Sequence, residues 1–446
     1  MATEQNDNPR DSGRLKLILR ALQSRNFRLF FIGQGISLIG TWMQTIAISW
    51  LVYRLTNSVF LLGVVGFAGQ IPAFVIAPLS GVFADRWNRH RALVVTQSLS
   101  MIQATTLAVL ALTGAIAVWQ IILLSFLIGL INAFDIPVRQ SFLSEMIERK
   151  EDLGNAIALN SSLFNSARLI GPAIAGVMVA SVGEAVCFLL NAVSFIAVIT
   201  ALLRMRINRQ PNPLPPRSVL HGLKEGFRYA FGFEPIRDVL LLVALVSLLG
   251  VGYTVLMPVY ASAILHGDSH TYGFLMGAVG IGALSGALYL ASRRTVIGLG
   301  RWIARASVLF GAGLVAFSVA RVLWLSLILL VIIGFGMMVQ MASSNTILQT
   351  IVDDDKRGRI MSLYTMAFMG MMPFGSLMMG SLASTVGVSE TLLLSGLICI
   401  VASLIFARRL RVLRGLLHPI YARMGIIPEV STGIQSATPF PSSPGS

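Results

Sequence analysis

The chain has 446 residues, of which 55% are hydrophobic and only 12% charged. A water-soluble domain carries about a quarter charged residues, so this chain cannot cover a solvated surface of its length. Its formal net charge of +15 would suit a nucleic-acid binder, but the positions of the basic residues exclude that reading.

Twelve apolar runs are each long enough for the about 20 residues that cross a bilayer as helix. They begin near Phe27, Val59, Ala92, Val118, Asn155, Glu184, Asp238, Thr271, Trp302, Val322, Arg359 and Thr391. The runs are continuous rather than alternating, which fits helices and not a barrel. Lys and Arg collect in every second connection. Arg86, Arg89 and Arg91 follow run two, Arg204 to Arg237 fill the sixth connection, and Arg408 to Arg423 follow run twelve. The other connections hold only Arg54 and Arg321. Cytoplasmic loops carry such an excess, which predicts a multi-pass protein of the cell membrane with both termini cytoplasmic, and the lipid bilayer as its first partner. Residues 1–26 have no short apolar core and read as a cytoplasmic segment rather than a cleaved signal. Cys187 and Cys399 lie inside apolar runs and read as buried thiols.

Run four ends in Phe134-Asp135-Ile-Pro137-Val-Arg139-Gln140, and run five holds Arg168 followed by Gly171-Pro172-Ala-Ile-Ala-Gly176. An ionisable residue inside a membrane is costly and marks function by default. If span four continues to Ile147, Asp135 lies about 18 Å from its cytoplasmic end and Arg168 about 20 Å along span five from Asn155, so the two can pair. Two readings stand. In one, Asp135 titrates a proton while Arg168 engages or releases it; in the other, they form a permanent structural pair. Arg139 and Arg168 also suit an anionic substrate.

The sixth connection, 205–237, contains the proline-rich stretch Gln210 to Pro216 and then an amphipathic segment, His221 to Phe231, predicted to lie on the cytoplasmic surface. It divides the chain into bundles 27–204 and 238–407, followed by a tail at 408–446 with a disordered end from Pro428. The halves repeat. Gly81 and Gly129 match Gly286 and Gly334 at a separation of 205, and Gly171, Gly176 and Gly183 match Gly375, Gly380 and Gly387 at 204. Each half has an even number of spans, so the repeat is parallel, with its axis along the membrane normal.

Between spans two and three the sequence reads Gly81-Val-Phe-Ala-Asp85-Arg86-Trp87-Asn88-Arg89-His90-Arg91. This resembles the loop signature of the major facilitator superfamily, with Asn88 standing where that family usually has Gly; Asn still tolerates a left-handed turn. Gly81, Asp85, Arg86, Arg89 and Arg91 are then expected to latch the bundles in one state. The Gly-Pro stretch Gly171, Pro172, Gly176 is similar to the helix-packing motif of exporters in the superfamily. With Asn155 to Asn160, Asn345 to Gln349 and Arg357 to Ile360, the pattern over about residues 20–410 resembles the enterobactin-exporter-like branch, which includes macrolide-efflux-like proteins. That resemblance implies an all-α fold of twelve transmembrane helices in two six-helix bundles, a bacterial inner membrane and a monomer. It also implies proton-coupled export of a small molecule by alternating access, with spans one, four, seven and ten lining the cavity. Gln34, Ser37, Thr41, Gln44, Asn132, Gln340, Ser344 and Asn345 are the candidate polar lining. Import by the same fold and a non-transporting scaffold or sensor are the alternatives. No phosphate-binding loop is present and no cofactor or enzymatic activity is expected. The methionines of spans ten and eleven suit an adaptable apolar wall at a few positions. His266 and His270, flanking Asp268, read as a solvated loop in preference to a metal site.

Overall fold

The computed structural model describes residues 19–86, 88–206, 219–293 and 295–423, and among them there are helices and turns but no strand. Spans one to six are Arg25–Thr56, Val59–Arg86, Arg89–Leu112, Val118–Phe142, Leu153–Val182 and Glu184–Leu203. Spans seven to twelve are Glu234–Ile264, Ser269–Ala291, Leu299–Val319, Leu323–Ile351, Lys356–Val386 and Val388–Arg423. An even number of spans brings the described chain ends to one face, called here the terminal face; the opposite one is the far face.

Many side-chain hydroxyls inside these helices bond back to the carbonyl four residues earlier, as in Thr105 to Met101 and Ser307 to Ile303, which satisfies those donors within the helix. Spans five and eleven both end in a glycine in the left-handed region, Gly183 at φ 84° and Gly387 at φ 101°. These are matched positions of the repeat, and a side chain there would be strained. Trp119 and Trp324, also 205 residues apart, open spans four and ten with 65% and 76% of their surface exposed. Exposed indoles at the same height in both halves mark the far membrane interface.

In the first bundle, span one packs on five and six, two on four, and three on four and six; in the second, eight and nine pack on ten, and twelve packs on nine and seven. The bundles meet where span five crosses eight and span two crosses eleven. Both crossings are built on paired glycines near the far face. A Cβ on Gly176 would lie 2.7 Å from Gly273 Cα and 2.9 Å from the Ser269 carbonyl; one on Gly380 would lie 2.8 Å from Gly63 Cα and 3.0 Å from the Val59 carbonyl. Backbone therefore touches backbone at two places related by the internal repeat. Trp50 of span one, stacked on Tyr272 of span eight at 6.1 Å, adds to this closure.

Ion pairs tie the terminal face. Arg20 meets Asp152, Arg89 meets Glu145 at 2.6 Å, and Arg409 meets the buried Asp238 at 2.9 Å. The connector helix, Val219–Gly232, docks on the start of span eleven through Glu225 and Arg359 at 2.8 Å, with Lys356 over the Tyr229 ring. Phe227 and Phe231 stack on each other on its exposed side, a face suited to the acyl boundary of a bilayer. Span twelve runs to Arg423, well past the expected start of a tail at 408, because Leu413 and Leu417 continue its buried stripe. The tail from Pro428 lies outside the described residues.

Candidate functional site

Asp135 is 3% exposed. Its Oδ1 accepts from Thr96 Oγ1 at 2.7 Å and from Gln97 Nε2 at 2.8 Å, both on span three, while Oδ2 faces Arg139 Nε at 3.4 Å one turn along span four. The expected pair with Arg168 is not formed. Span four stops being an α-helix at Phe142 rather than Ile147, which puts Asp135 about 11 Å from that end, whereas Arg168 lies about 22 Å along span five from Leu153. The two charges sit at different depths. Arg168 instead lies over the Trp42 ring, 5.9 Å from its centroid. Among the described residues, no ion pair includes Arg168.

Span seven is irregular where Tyr253 sits. Its α-helix gives way to a π turn at Val246–Gly250 and a 3-10 stretch at Val251–Leu256, a break of the kind that lines binding sites in transporters. Tyr253 is fully buried, its ring edge-on to Phe310, and its hydroxyl has no hydrogen-bond partner.

The polar residues predicted to line a cavity fall into two groups. Gln44 belongs to the interior of the first bundle: Asn191 donates to its Oε1 at 2.8 Å, its Nε2 donates to Gln103 Oε1 at 3.0 Å, and Gln103 donates to the Leu124 carbonyl at 3.2 Å. This relay links spans six, one, three and four, so Gln44 is a bundle strut and not a wall of the cavity. Gln34, Ser37, Gln340 and Ser344 are all at most 3% exposed, while Thr41, Asn132 and Asn345 are half-buried. Gln340 is the repeat counterpart of Asp135 at the separation of 205. Both of its amide atoms are buried without a partner, as is Gln34 Oε1. The second bundle thus places a neutral amide where the first has its acid.

In the loop signature, the side chains of Asp85 and Arg86 and the surroundings of Gly81 lie outside what the structure describes. Arg89 is engaged within its own bundle by Glu145, and Arg91 is exposed. Asn88 does not take the left-handed turn expected of it. At φ −69° it is extended, and its side chain caps span three by accepting from the Arg91 amide at 3.1 Å; a glycine there would leave that donor unmet. Gly171 holds span one, since a Cβ on it would lie 2.5 Å from that of Trp42, and Pro172 is buried inside span five. Asp268 caps span eight through the Thr271 amide, and among the described residues no three potential ligands gather around a metal position. Met337, Met341 and Met379 are core residues, whereas Met369 is half-exposed.

Sequence reasoning missed Thr96, Gln97, Gln103 and Asn191, polar residues in apolar runs whose presence was itself the signal. Trp42 and Tyr253 gave none, because aromatic residues are ordinary in a span.

Two six-helix bundles meeting at spans two with eleven and five with eight define a transporter of the major facilitator fold. The fold of the POT family transporter PepTSo matches with a TM-score of 0.67 over 88% of this chain and 98% of that one at 13% identity. A bacterial homologue of the lysosomal transporter Spinster, in an inward-facing and unoccupied conformation, matches with a TM-score of 0.63 over 90% of this chain and 98% of that one, also at 13% identity. Residues 18–416 match the transmembrane secretion effector family, and the chain belongs to that family. It is 28% identical to the staphyloferrin A transporter of Staphylococcus aureus over 85% of this chain and 95% of that protein. It is 26% identical to the multidrug efflux pump Tap of Mycolicibacterium fortuitum, over 79% and 88%, and 23% identical to macrolide efflux protein A of Streptococcus pyogenes, over 84% and 94%.

Proposed function

We propose that this protein is a proton-coupled exporter of a small molecule, working as a monomer in the bacterial inner membrane with both termini cytoplasmic. The observation that carries the reading is Asp135: a carboxylate 3% exposed inside span four, held by two neutral donors and one arginine. Rearrangement of spans three and four during the transport cycle changes the partners of Asp135, so that a proton enters on one side and leaves on the other.

Export is supported by the relatives named as a multidrug efflux pump and a macrolide efflux protein. The glycine crossings at the far face support a state closed on that side; the exporter then loads from the terminal face and releases after the crossings part. Gly81, Asp85, Arg86 and Arg91 complete the cycle as the terminal-face latch. Comparing the small molecules retained by cells with and without the protein identifies a cargo. Uptake of that cargo into inverted vesicles then gives the direction, and an importer would instead accumulate it in intact cells. Proteoliposomes with an imposed pH gradient test the coupling: cargo should accumulate against its gradient, and accumulation that ignores the pH gradient refutes the proton.

A further inference from the structure

Span twelve is longer than a crossing requires. Its 36 residues extend about 54 Å as helix, against about 30 Å of hydrocarbon. The crossing that starts at Val388 is complete near Arg408, and the remaining turns overhang the terminal face. On this overhang Leu413 and Leu417 are buried, Val412 and Leu416 are exposed, and Arg408 and Arg411 stand exposed among them. Exposed apolar side chains interleaved with arginines suit the boundary between acyl chains and headgroups, where the stems lie in hydrocarbon and the guanidinium groups reach outward.

Beneath the overhang lies a cleft of about 210 Å³ between the terminal-face ends of spans seven, nine, ten and twelve. Its walls are mostly apolar, among them Val239, Ile347, Ile351, Phe406 and Leu413. Arg301, His418 and Tyr421 supply its polar side chains. Arg301 and His418 are exposed, and among the described residues neither takes part in an ion pair. The acids at the start of span seven, Glu234 and Asp238, are both engaged by Arg409. The cleft is therefore an apolar slot with a cationic rim.

We propose that this cleft binds an anionic phospholipid of the adjoining leaflet, with one acyl chain in the slot and the phosphate at Arg301 and His418. Apolar walls alone would accept any hydrocarbon; the cationic rim selects the anionic headgroup. All four spans around the cleft belong to the second bundle. A cargo carried by alternating access binds between bundles, so the occupant of a cleft inside one of them is a resident molecule. The bound lipid fills the space under the overhang and holds it against the ends of spans seven and ten. The inference is independent of proton coupling and of the direction of transport.

The test is native mass spectrometry of the whole protein, delipidated in detergent and titrated with dioleoylphosphatidylglycerol or dioleoylphosphatidylcholine. The first phosphatidylglycerol should bind at least about tenfold more tightly than the first phosphatidylcholine, the range of a charge-assisted hydrogen bond. It should also raise the unfolding midpoint, as a ligand of the folded state does. Arg301→Gln, at an exposed position, should weaken the first phosphatidylglycerol by about tenfold. Leu413→Trp, which fills the slot, should abolish that site. Arg411→Gln removes the same charge from the same overhang outside the cleft and should change the affinity by less than about twofold. Equal first affinities for the two lipids, or a loss in Arg411→Gln as large as in Arg301→Gln, overturns the anionic site. Displacement of the lipid by inorganic phosphate at millimolar concentration would show an anion site that needs no chain. A protein dimer dispersed by Leu413→Trp would give the cleft to a second copy of the chain. Either result overturns the lipid.

Discussion

Replacing Gly176 by alanine should shift the protein away from the state closed at the far face. The new Cβ would lie 2.7 Å from Gly273 Cα, 2.9 Å from the Ser269 carbonyl and 3.2 Å from the Gly273 amide nitrogen. Carbon atoms in ordinary contact are about 3.5–4.0 Å apart, so spans five and eight must separate by roughly 1 Å. The obstructing atoms are backbone, and no rotamer change relieves them. Overpacking of this kind costs about 1–3 kcal/mol, and the cost falls only on the closed state, because the open one does not bring the helices together. The closed-to-open ratio should therefore fall by roughly 5-fold to 150-fold. Spin labels at cysteines introduced for Ser181 and Ser384, exposed residues near the far ends of spans five and eleven, report the separation by pulsed electron resonance; the native Cys187 and Cys399 are fully buried and stay unlabelled. Gly154→Ala on the same helix is the control, since nothing lies within 4 Å of its added Cβ. Superimposable distance distributions for Gly176→Ala and its parent would refute the argument.

Asp135→Asn keeps the shape of the buried cluster and loses its charge; cargo accumulation driven by a pH gradient in proteoliposomes should vanish, and full accumulation would remove Asp135 from coupling. Because Arg168 is not its partner, adding Arg168→Gln should not restore that flux, and restoration would reinstate the pair. Gln44→Leu strands Gln103 and Asn191 inside the first bundle. It should cost about 1–3 kcal/mol, seen as a lower unfolding midpoint in detergent, and an unchanged midpoint would show that the relay carries no stability. A single cysteine at Ser218 should resist an impermeant reagent applied to intact cells, and its labelling would invert the assigned topology.

The class of fold is legible in the sequence because lipid permits so few solutions: continuous apolar runs must be helices, and their number and charge asymmetry order them. The glycine repeat is equally legible, since a residue with no side chain leaves its mark wherever backbones touch, as at Gly176 and Gly380. Pairings between spans are less so. Asp135 and Arg168 are the obvious opposite charges in neighbouring spans, yet their partnership turned on where span four ends, and the 3-10 turn at Leu143–Glu145 that shortens it has no sequence signature. Gln44 shows a second limit. A polar residue in a span faces either cavity or bundle interior, and only its partners Gln103 and Asn191 decide which. The break around Tyr253 had no warning from Gly or Pro placement alone, because Gly250, Gly252 and Pro258 are ordinary residues for a membrane helix.

The paired glycines at the far crossings have a genetic consequence. When a bulky contact is damaged by an enlarged residue, a second mutation can usually trim the neighbour and restore the fit. Here the neighbour is already glycine on both sides, Gly176 with Gly273 and Gly63 with Gly380, and nothing smaller exists to substitute. Revertants selected from a Gly176 variant should therefore carry true reversion or changes elsewhere that favour closure, and none within the pair itself.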